Sequence, residues 1–405
     1  MSDRTLMIVG GGRQKYREYG LRSIADRYDV VLLASREVMW ERAYVSRWRV
    51  TDFEDEERFQ SDGLSFVKET GAVGLMTWSD RVGERCARLA KAHGMPFADP
   101  AAMRACKDKS VFRDLLGARP DWAVAATLVH DLAEARQAAD AIGYPVVIKP
   151  RALGGSVGVA RVDSEQDLER RLASAVDASV GGLSPIYSGA IVEEYLDGKE
   201  YSVDCLSLEG DTIPLVVAEK MLGAEPYFEE TGHVVPARPT PELADALAVV
   251  RDVHRAVGVD YLATHTEFRL TATGPRLIEM NARLGGDFIP RLGNLALGID
   301  LPVAAAEVAM GERPRLPAAR RCVAAVRFFY PKFDMELSQL ELGGSGHRGL
   351  VAFETLVGAG ATMRLPPRGY MSRLGYAIVT GASRAECMDN LDAVESDIVA
   401  RGEAL

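Results

Sequence analysis

The sequence predicts a mixed α/β protein with a doubly wound amino-terminal lobe and a β-rich carboxy-terminal part. Three patterns carry that expectation. Short apolar strands alternate with helical stretches over the first hundred residues. A glycine-rich segment follows directly on the strand YPVVIKP (144–150). Two strands, THTEFRL and PRLIEMNAR, flank a short turn at Ala272, Thr273 and Gly274.

In the first lobe, TLMIV (5–9) reads as a buried strand, broken by Gly10, Gly11 and Gly12 and followed by a helix that ends near Tyr28. A second strand runs from Val30 to Ala34, and GLMTW (74–78), a helix through Arg88 to Ala92, and MPFAD (95–99) continue the alternation. The glycines are consecutive rather than G-x-G-x-x-G, and the second strand ends in Ser35 and Arg36 with no acid for a ribose. A tight turn therefore explains them better than a dinucleotide site, which would make the chain an NADP-dependent oxidoreductase. From Ala101 the pattern gives a helix containing Lys107 and Lys109, a helix around Asp131 to Ile142, and the strand 144–150. AIVEEYL (190–196) and EYSVDCLSLEG (200–210) read as strands around the turn DGK. A helix from Pro241 to Val257, the hairpin between Ala263 and Arg283, a helix around Ile299 to Met310 and a β-rich segment from about Arg321 to Thr380 complete the order.

A length of 405 residues suggests two to four subdomains of roughly 100 to 200 residues each. Hydrophobic residues at 47% and charged residues at 26% are ordinary for a globular chain. With 48 basic against 58 acidic residues, the net charge of −10 would repel a nucleic-acid backbone, so a polyanion needs a local basic site. The five cysteines are scattered without a CxxC pair, which fits a reducing compartment and a cytoplasmic location. The apolar run Leu6 to Val9 is too short for a signal-peptide core, and no run reaches the length of a membrane span.

The hairpin is the most informative stretch. Alternation about Thr273 puts His265, Glu267 and Arg269 on one face with Leu277, Glu279, Asn281 and Arg283, and puts Phe268, Leu270, Ile278, Met280 and Ala282 on the other. Glu267 then lies opposite Glu279. Such a like-charge pair costs up to about 1 kcal/mol, and a divalent cation between the carboxylates is the simplest compensation, with Asn281 as a third oxygen. Hard oxygen ligands suit Mg²⁺ or Mn²⁺, which bind together with substrate phosphates and so imply a nucleotide. The alternative is a solvated polar face paired by Arg269 and Arg283. In RALGGSVGVARV (151–162), Gly154, Gly155 and Gly158 leave N–H groups able to approach phosphate oxygens, and Lys149 stands beside them as a point charge. No GK[ST] follows, so this is not a Walker loop.

Lys109, Lys149 in VVIKP, the loop Gly154, Gly155 and Ser156, the run VEEYLDGKEYSV, and EFRL with IEMNARLGGD stand in the order that characterises the ATP-grasp superfamily. The chain resembles in particular the carboxylate–amine ligases related to L-amino-acid ligases and, more distantly, biotin carboxylase, over nearly its whole length. The resemblance implies an ATP-grasp fold divided into a Rossmann-like lobe (1–100), a small lid subdomain (101–187), a large subdomain with the metal-binding hairpin (188–315) and a β-rich subdomain (316–405). It implies that Lys109 and Lys149 contact ATP phosphates under the glycine loop. Glu194 and Leu196 would offer main-chain groups to adenine, with Glu193 beside them and Glu200 on the ribose. Glu267, Glu279 and Asn281 would hold Mg²⁺ or Mn²⁺, and Arg283 would face the transferring phosphoryl group.

The implied activity is ATP-dependent amide formation between a small carboxylate and an amine through an acyl phosphate, by a monomer or homodimer. Lys220, Glu230 and His233, in and beside PYFEETGHVVPA (226–237), resemble a substrate loop, with Arg283 as a further substrate contact. A lone histidine read without the motif is a structural hydrogen-bonder. Asp287 stands where the dipeptide-forming branch can carry a bulky aromatic that limits the substrate pocket. That difference suggests a larger pocket or one suited to a cationic amine; a helix N-cap or an innocuous loop acid is the equal alternative. Rival activities are a bicarbonate-dependent carboxylase, for which no biotin-carrier signature is visible, and an ATP-binding regulator without turnover.

Overall fold

A computed structural model describes residues 4–119, 121–180, 187–223, 225–317 and 322–405 of the chain. Its fold is mixed α/β. Thr5–Val9, Asp29–Ala34, Arg47–Val50 and Gly74–Thr77 form a parallel sheet in the order 47–50, 29–34, 5–9, 74–77. Parallel strands are covered on both faces, and Leu6, Met7, Ile8 and Val9 are accordingly all fully buried. Met7 and Val9 pack with Phe59 and Phe66 of the helix Glu56–Thr70, whereas Leu6 and Ile8 pack with Leu21 and Ile24 of the helix Gln14–Ala25.

Two expectations for this region are corrected by capping. MPFAD is not a strand: Gly94 ends the helix Gly83–His93 in the left-handed region, Met95 N still donates to Ala90 O, and Asp99 already caps the helix Pro100–Lys107. Pro96 has no N–H for a ladder in any case. The helix expected to carry both lysines is two helices, Pro100–Lys107 and Lys109–Gly117. Asp108 breaks it by leaving helical geometry (φ −92°, ψ 103°) and accepting from Ser110 N, while Arg151 Nη2 holds its other oxygen at 2.7 Å.

A second sheet has the order 126–129, 190–194, 146–150, 160–162 and is covered by the helices Leu132–Ile142 and Glu165–Val180. Its strand Ala190–Glu194 lies beyond residue 187 in the chain. The largest sheet is antiparallel, with eight strands in the order 274–281, 262–271, 199–208, 211–222, 230–235, 323–329, 375–381, 350–355. It runs across residue 316, since Val323–Phe329, Leu350–Thr355 and Gly375–Gly381 extend it. The helix Pro241–Val257 covers one part of it, with Val250 and Val253 against Phe268, Leu277 and Met280.

The helices Ile289–Leu297 and Leu301–Ala309 join this sheet to the first lobe, because Leu292, Ala304 and Val308 share one core with Leu6, Ile8, Val216 and Val326. The sequence pattern showed only the second of these helices. A fourth sheet has the order 362–363, 335–342, 398–404. The β-rich segment expected to stop at Thr380 is followed by the helix Arg384–Ser396 and the strand Ile398–Ala404. No single helix among the described residues is long and apolar enough to cross a membrane.

Candidate active site

The hairpin strands Leu262–Thr271 and Gly274–Asn281 place Glu267 opposite Glu279 and His265 opposite Asn281. Beyond that pair the alternation read from the sequence fails. The register shifts between Glu267 and Phe268, so Phe268 pairs with Leu277 and both belong to the core. Ile278 becomes the extra residue of a bulge and lines a cleft with Glu267 and Glu279. Leu277 and Ile278 thus exchange the faces expected of them. Arg113 braces the distortion, donating from Nη1 to Leu277 O (2.8 Å) and from Nη2 to Ile278 O (3.0 Å).

The opposed carboxylates are not a solvated face, and each has a lysine of its own. Lys109 Nζ lies 2.8 Å from Glu279 Oε2, and Lys220 Nζ lies 2.6 Å from Glu267 Oε2. Lys220 also reaches Glu200 (2.6 Å) and Glu230 (3.2 Å), and with three carboxylates around it its pKa is raised well above the ordinary value although burial opposes this. Arg269 Nε donates to Glu200 (2.9 Å) and its Nη1 to Leu196 O (2.6 Å). Burial opposes the charge of His265, yet hydrogen bonding to Asp204 (2.9 Å) and to Glu267 outweighs it and raises its pKa to about 10. Lys220 therefore lies among the hairpin carboxylates rather than on the open cavity described below.

Glu267, Glu279 and Asn281 form a hard oxygen set of the kind Mg²⁺ or Mn²⁺ takes. The lysines hold one oxygen of each carboxylate, while Glu279 Oε1 accepts only from Asn281 Nδ2 (2.8 Å) and Glu267 Oε1 stands 3.4 Å from His265 Nε2. The donor chemistry fits a hard divalent ion. The mutual repulsion argued from the sequence, however, is already countered by Lys109 and Lys220.

The cleft beside this set holds about 80 Å³ and is lined by Val147, Leu196, Phe228 and Ile278 together with Lys149, Glu193, Glu194 and Glu200. Gly154, Gly155 and Ser156 form part of its wall, with Gly155 at φ 69° and Ser156 at φ 55°. Ser156 is a non-glycine residue in the left-handed region, a conformation that costs of order 1 kcal/mol. At the edge, Glu194 N donates to Ala125 O and Leu196 O accepts from Arg269. Those two main-chain groups are thus taken, whereas the Leu196 N–H has no partner among the described residues.

Lys149 forms an ion pair with Glu193, which also accepts from Arg113 Nε (2.9 Å). Burial, only partly offset by Glu193, brings the Lys149 pKa down to about 8. Around pH 8 part of this lysine is therefore uncharged, and a polyphosphate beside it favours the charged form and draws a proton on. Calorimetry of ATP binding at pH 8 in two buffers of different ionisation enthalpy is expected to show net proton uptake. Lys149→Met is expected to show none, and equal uptake in both proteins would remove Lys149 from the phosphate site.

A larger cavity of about 580 Å³ adjoins the cleft and shares Lys109, Leu153 and Gly154 with it. Asn281, Arg283 and Asp287 line it on the large-sheet side, and Asp80 lines it from the first lobe. Arg283 Nε donates to Asp80 Oδ2 at 2.6 Å. Behind Asp287, His233 Nε2 lies 3.5 Å from Asp287 Oδ2 and 3.2 Å from Glu230 Oε2. Burial disfavours charge on this histidine, but the two carboxylates raise its pKa.

Asp287 departs from both simple expectations. The cap of the helix Ile289–Leu297 is Phe288, so Asp287 is no N-cap. Nor is it an open acid for a cationic amine, because Arg373 takes both its oxygens at 2.5 and 2.6 Å and, against burial, holds the carboxyl well below the usual range. Arg113, Asp204 and Arg373 were not singled out from the sequence, since no local pattern marks them. His265 and Arg269 were placed on the polar face without their partners.

Residues 142–291 match the model of the ATP-grasp domain. The chain is 26% identical to the protein y4rH of Sinorhizobium fredii (strain NBRC 101917 / NGR234) over 392 residues, which cover 94% of this chain and 80% of that one. It is 29% identical to carnosine synthase 1 of Gallus gallus over 380 residues, 87% of this chain but only 40% of the synthase. The fold matches the crystal structure of an L-amino acid ligase from Bacillus licheniformis with a TM-score of 0.81 at 20% identity, covering 100% of both chains.

Proposed function

From the premise that the chain carries an ATP-grasp domain, we propose that it is an ADP-forming ligase that joins a small carboxylate to an amine, the substrates being amino acids or closely similar molecules. One observation carries the reading. The cleft lined by Lys149 and the glycine loop opens against a separate cavity of about 580 Å³ at Lys109 and Gly154, with Asn281 and Arg283 on the cavity wall beside them. A nucleotide in the cleft would point its phosphates at a second compartment large enough for two small molecules. Both L-amino acid ligase and carnosine synthase bear names of amide-forming enzymes, which supports the same chemistry.

In this reading Lys109 and Lys149 neutralise the phosphates, and the Leu196 N–H meets the base. Glu267, Glu279 and Asn281 hold Mg²⁺ or Mn²⁺, which when bound neutralises charge on the phosphate oxygens. Attack of a carboxylate oxygen on the γ-phosphorus brings two anions together, and the Arg283 guanidinium supplies positive charge where they meet. The bond to ADP breaks as the acyl phosphate forms. The amine then attacks the acyl carbon, loses a proton, and phosphate leaves with one former carboxylate oxygen. The loop Gly154, Gly155 and Ser156 keeps water from the activated acyl group. ADP and phosphate are expected only when both a carboxylate and an amine from a panel of amino acids are supplied. ADP formation that depends on bicarbonate alone, or AMP with pyrophosphate, would replace this assignment.

A further inference from the structure

One charge on the wall of the large cavity has no role in the chemistry above. Arg17, on the helix Gln14–Ala25, is partly buried and lines that cavity. Its guanidinium lies 5.1 Å from the centre of the Trp78 ring, and among the described residues it makes no hydrogen bond and no ion pair. A ring face is a weaker partner for a guanidinium than a carboxylate. Of the other charges on this wall, Arg283 is paired with Asp80, Asp287 with Arg373, Lys109 with Glu279 and Arg81 with Glu54, Lys107 donates to Arg81 O and stands over the Tyr187 ring, and Arg13 is exposed. Asp204, the other acid in the electrostatic surroundings of Arg17, accepts from His265 and from Gly285 N.

The run of three glycines is built around this side chain. Gly12 sits at φ 75°, and a Cβ there would stand 2.8 Å from Arg17 Cγ, so only glycine lets the arginine stem pass. Gly10 and Gly12 line the same cavity. The helix that carries Arg17 has no side-chain cap at Arg13 and no acidic residue in its first turn, so its own first turn does nothing to offset the positive end of its dipole. The Trp78 indole N–H is likewise buried without a hydrogen-bond partner among the described residues. Within a chain of net charge −10, Arg17 is thus a positive group on the cavity wall that, among the described residues, has no anion in hydrogen-bond contact.

We propose that Arg17 binds the carboxylate of the amine substrate, so that the amine partner is an amino acid whose own carboxylate stays free through the reaction. The carboxylate that is phosphorylated loses its charge on activation and must lie next to the nucleotide cleft, at Lys109 and Arg283. A permanent counter-charge contributed by the first lobe suits the group that does not react. Assignment to the amine substrate rests on the ligase reading, whereas the carboxylate site itself does not.

Calorimetry separates the two. The wild type is titrated with each proteinogenic amino acid and with its carboxamide, in the presence of ADP and Mg²⁺, and Arg17→Gln and Arg17→Lys follow. The amino acid that binds is expected to lose about 10- to 100-fold in affinity as its amide, since a charge-assisted hydrogen bond is replaced by a neutral one. Arg17→Gln is expected to bind acid and amide within about threefold of each other, and Arg17→Lys to restore part of the difference. In turnover, KM for the amine rises in Arg17→Gln while KM for ATP stays unchanged. Equal binding of acid and amide by the wild type overturns the proposal, as does failure of every amino acid to bind. Equal weakening of acid and amide in Arg17→Gln also overturns it, because the arginine would then merely balance Asp80 and Asp204. A preference that follows the acyl donor instead moves the site to the other substrate and sinks the assignment. If the preference depends on Arg17 but no pair of substrates yields ADP, the ligase reading fails and the carboxylate site stands.

Discussion

Glu279→Ala is expected to abolish ATP turnover, with kcat falling by at least about a thousandfold. Two groups depend on this carboxylate, Lys109 at 2.8 Å and the Asn281 amide at 2.8 Å, and Glu267 lies opposite it in the strand register. Although burial disfavours the charge, Lys109 first among its neighbours holds the Glu279 carboxyl well below the usual range, so it is ionised at any pH where the protein works. Alanine would remove a ligand of the proposed metal and leave the Lys109 charge without its partner. Glu279→Gln keeps the shape and loses the charge, and should fail equally. The strand Gly274–Asn281 lies at the edge of the large sheet, so thermal unfolding of both variants separates loss of chemistry from loss of fold. Wild-type turnover in Glu279→Ala would sink the metal assignment.

Arg283→Ala is expected to separate binding from chemistry. Arg283 lines the large cavity and is absent from the wall of the cleft proposed for the nucleotide. Its guanidinium is fixed by Asp80 at 2.6 Å and donates from Nη1 to Leu284 O at 3.0 Å, so it is oriented before any substrate arrives. A charge so preorganised stabilises the transition state without reorganisation, and its removal is expected to cost about 10²- to 10⁴-fold in kcat. The Kd for ATP should stay within about threefold. A variant that turns over normally but binds ATP more than about tenfold weaker would place Arg283 on the nucleotide instead.

Local signals made part of this site legible in the sequence. The polar residues spaced by two gave the Glu267 and Glu279 pairing through two offsetting departures: the turn closes with Thr271 opposite Gly274 rather than centring on Thr273, and the bulge at Ile278 shifts the register back so that Glu267 meets Glu279. The helix Pro241–Val257 was legible to the residue, since Thr240 caps its start and Gly258, at φ 76°, ends it. The bulge that exchanges Leu277 and Ile278 was not, for both are apolar and nothing in their order tells which one leaves the core. The break at Asp108 was hidden in the same way inside a helical pattern, since it depends on Arg151, 43 residues away.

The partners that set the charges were the least legible. Arg113 reaches Glu193 across 80 positions, Asp204 reaches His265 across 61, and Arg373 reaches Asp287 across 86. Such pairs are fixed by tertiary packing and leave no period in the chain. Asp287 shows the consequence: read alone it is an acid inviting a cation, but its cation is already supplied from the far end of the protein.

The central claim is that a carboxylate is activated as an acyl phosphate, and oxygen transfer tests it most directly. With the carboxylate substrate doubly labelled with ¹⁸O, turnover in the presence of ATP, Mg²⁺ and the amine partner is expected to yield ADP and phosphate carrying one ¹⁸O atom per amide formed. Phosphate without label, or label found in AMP, would contradict the account.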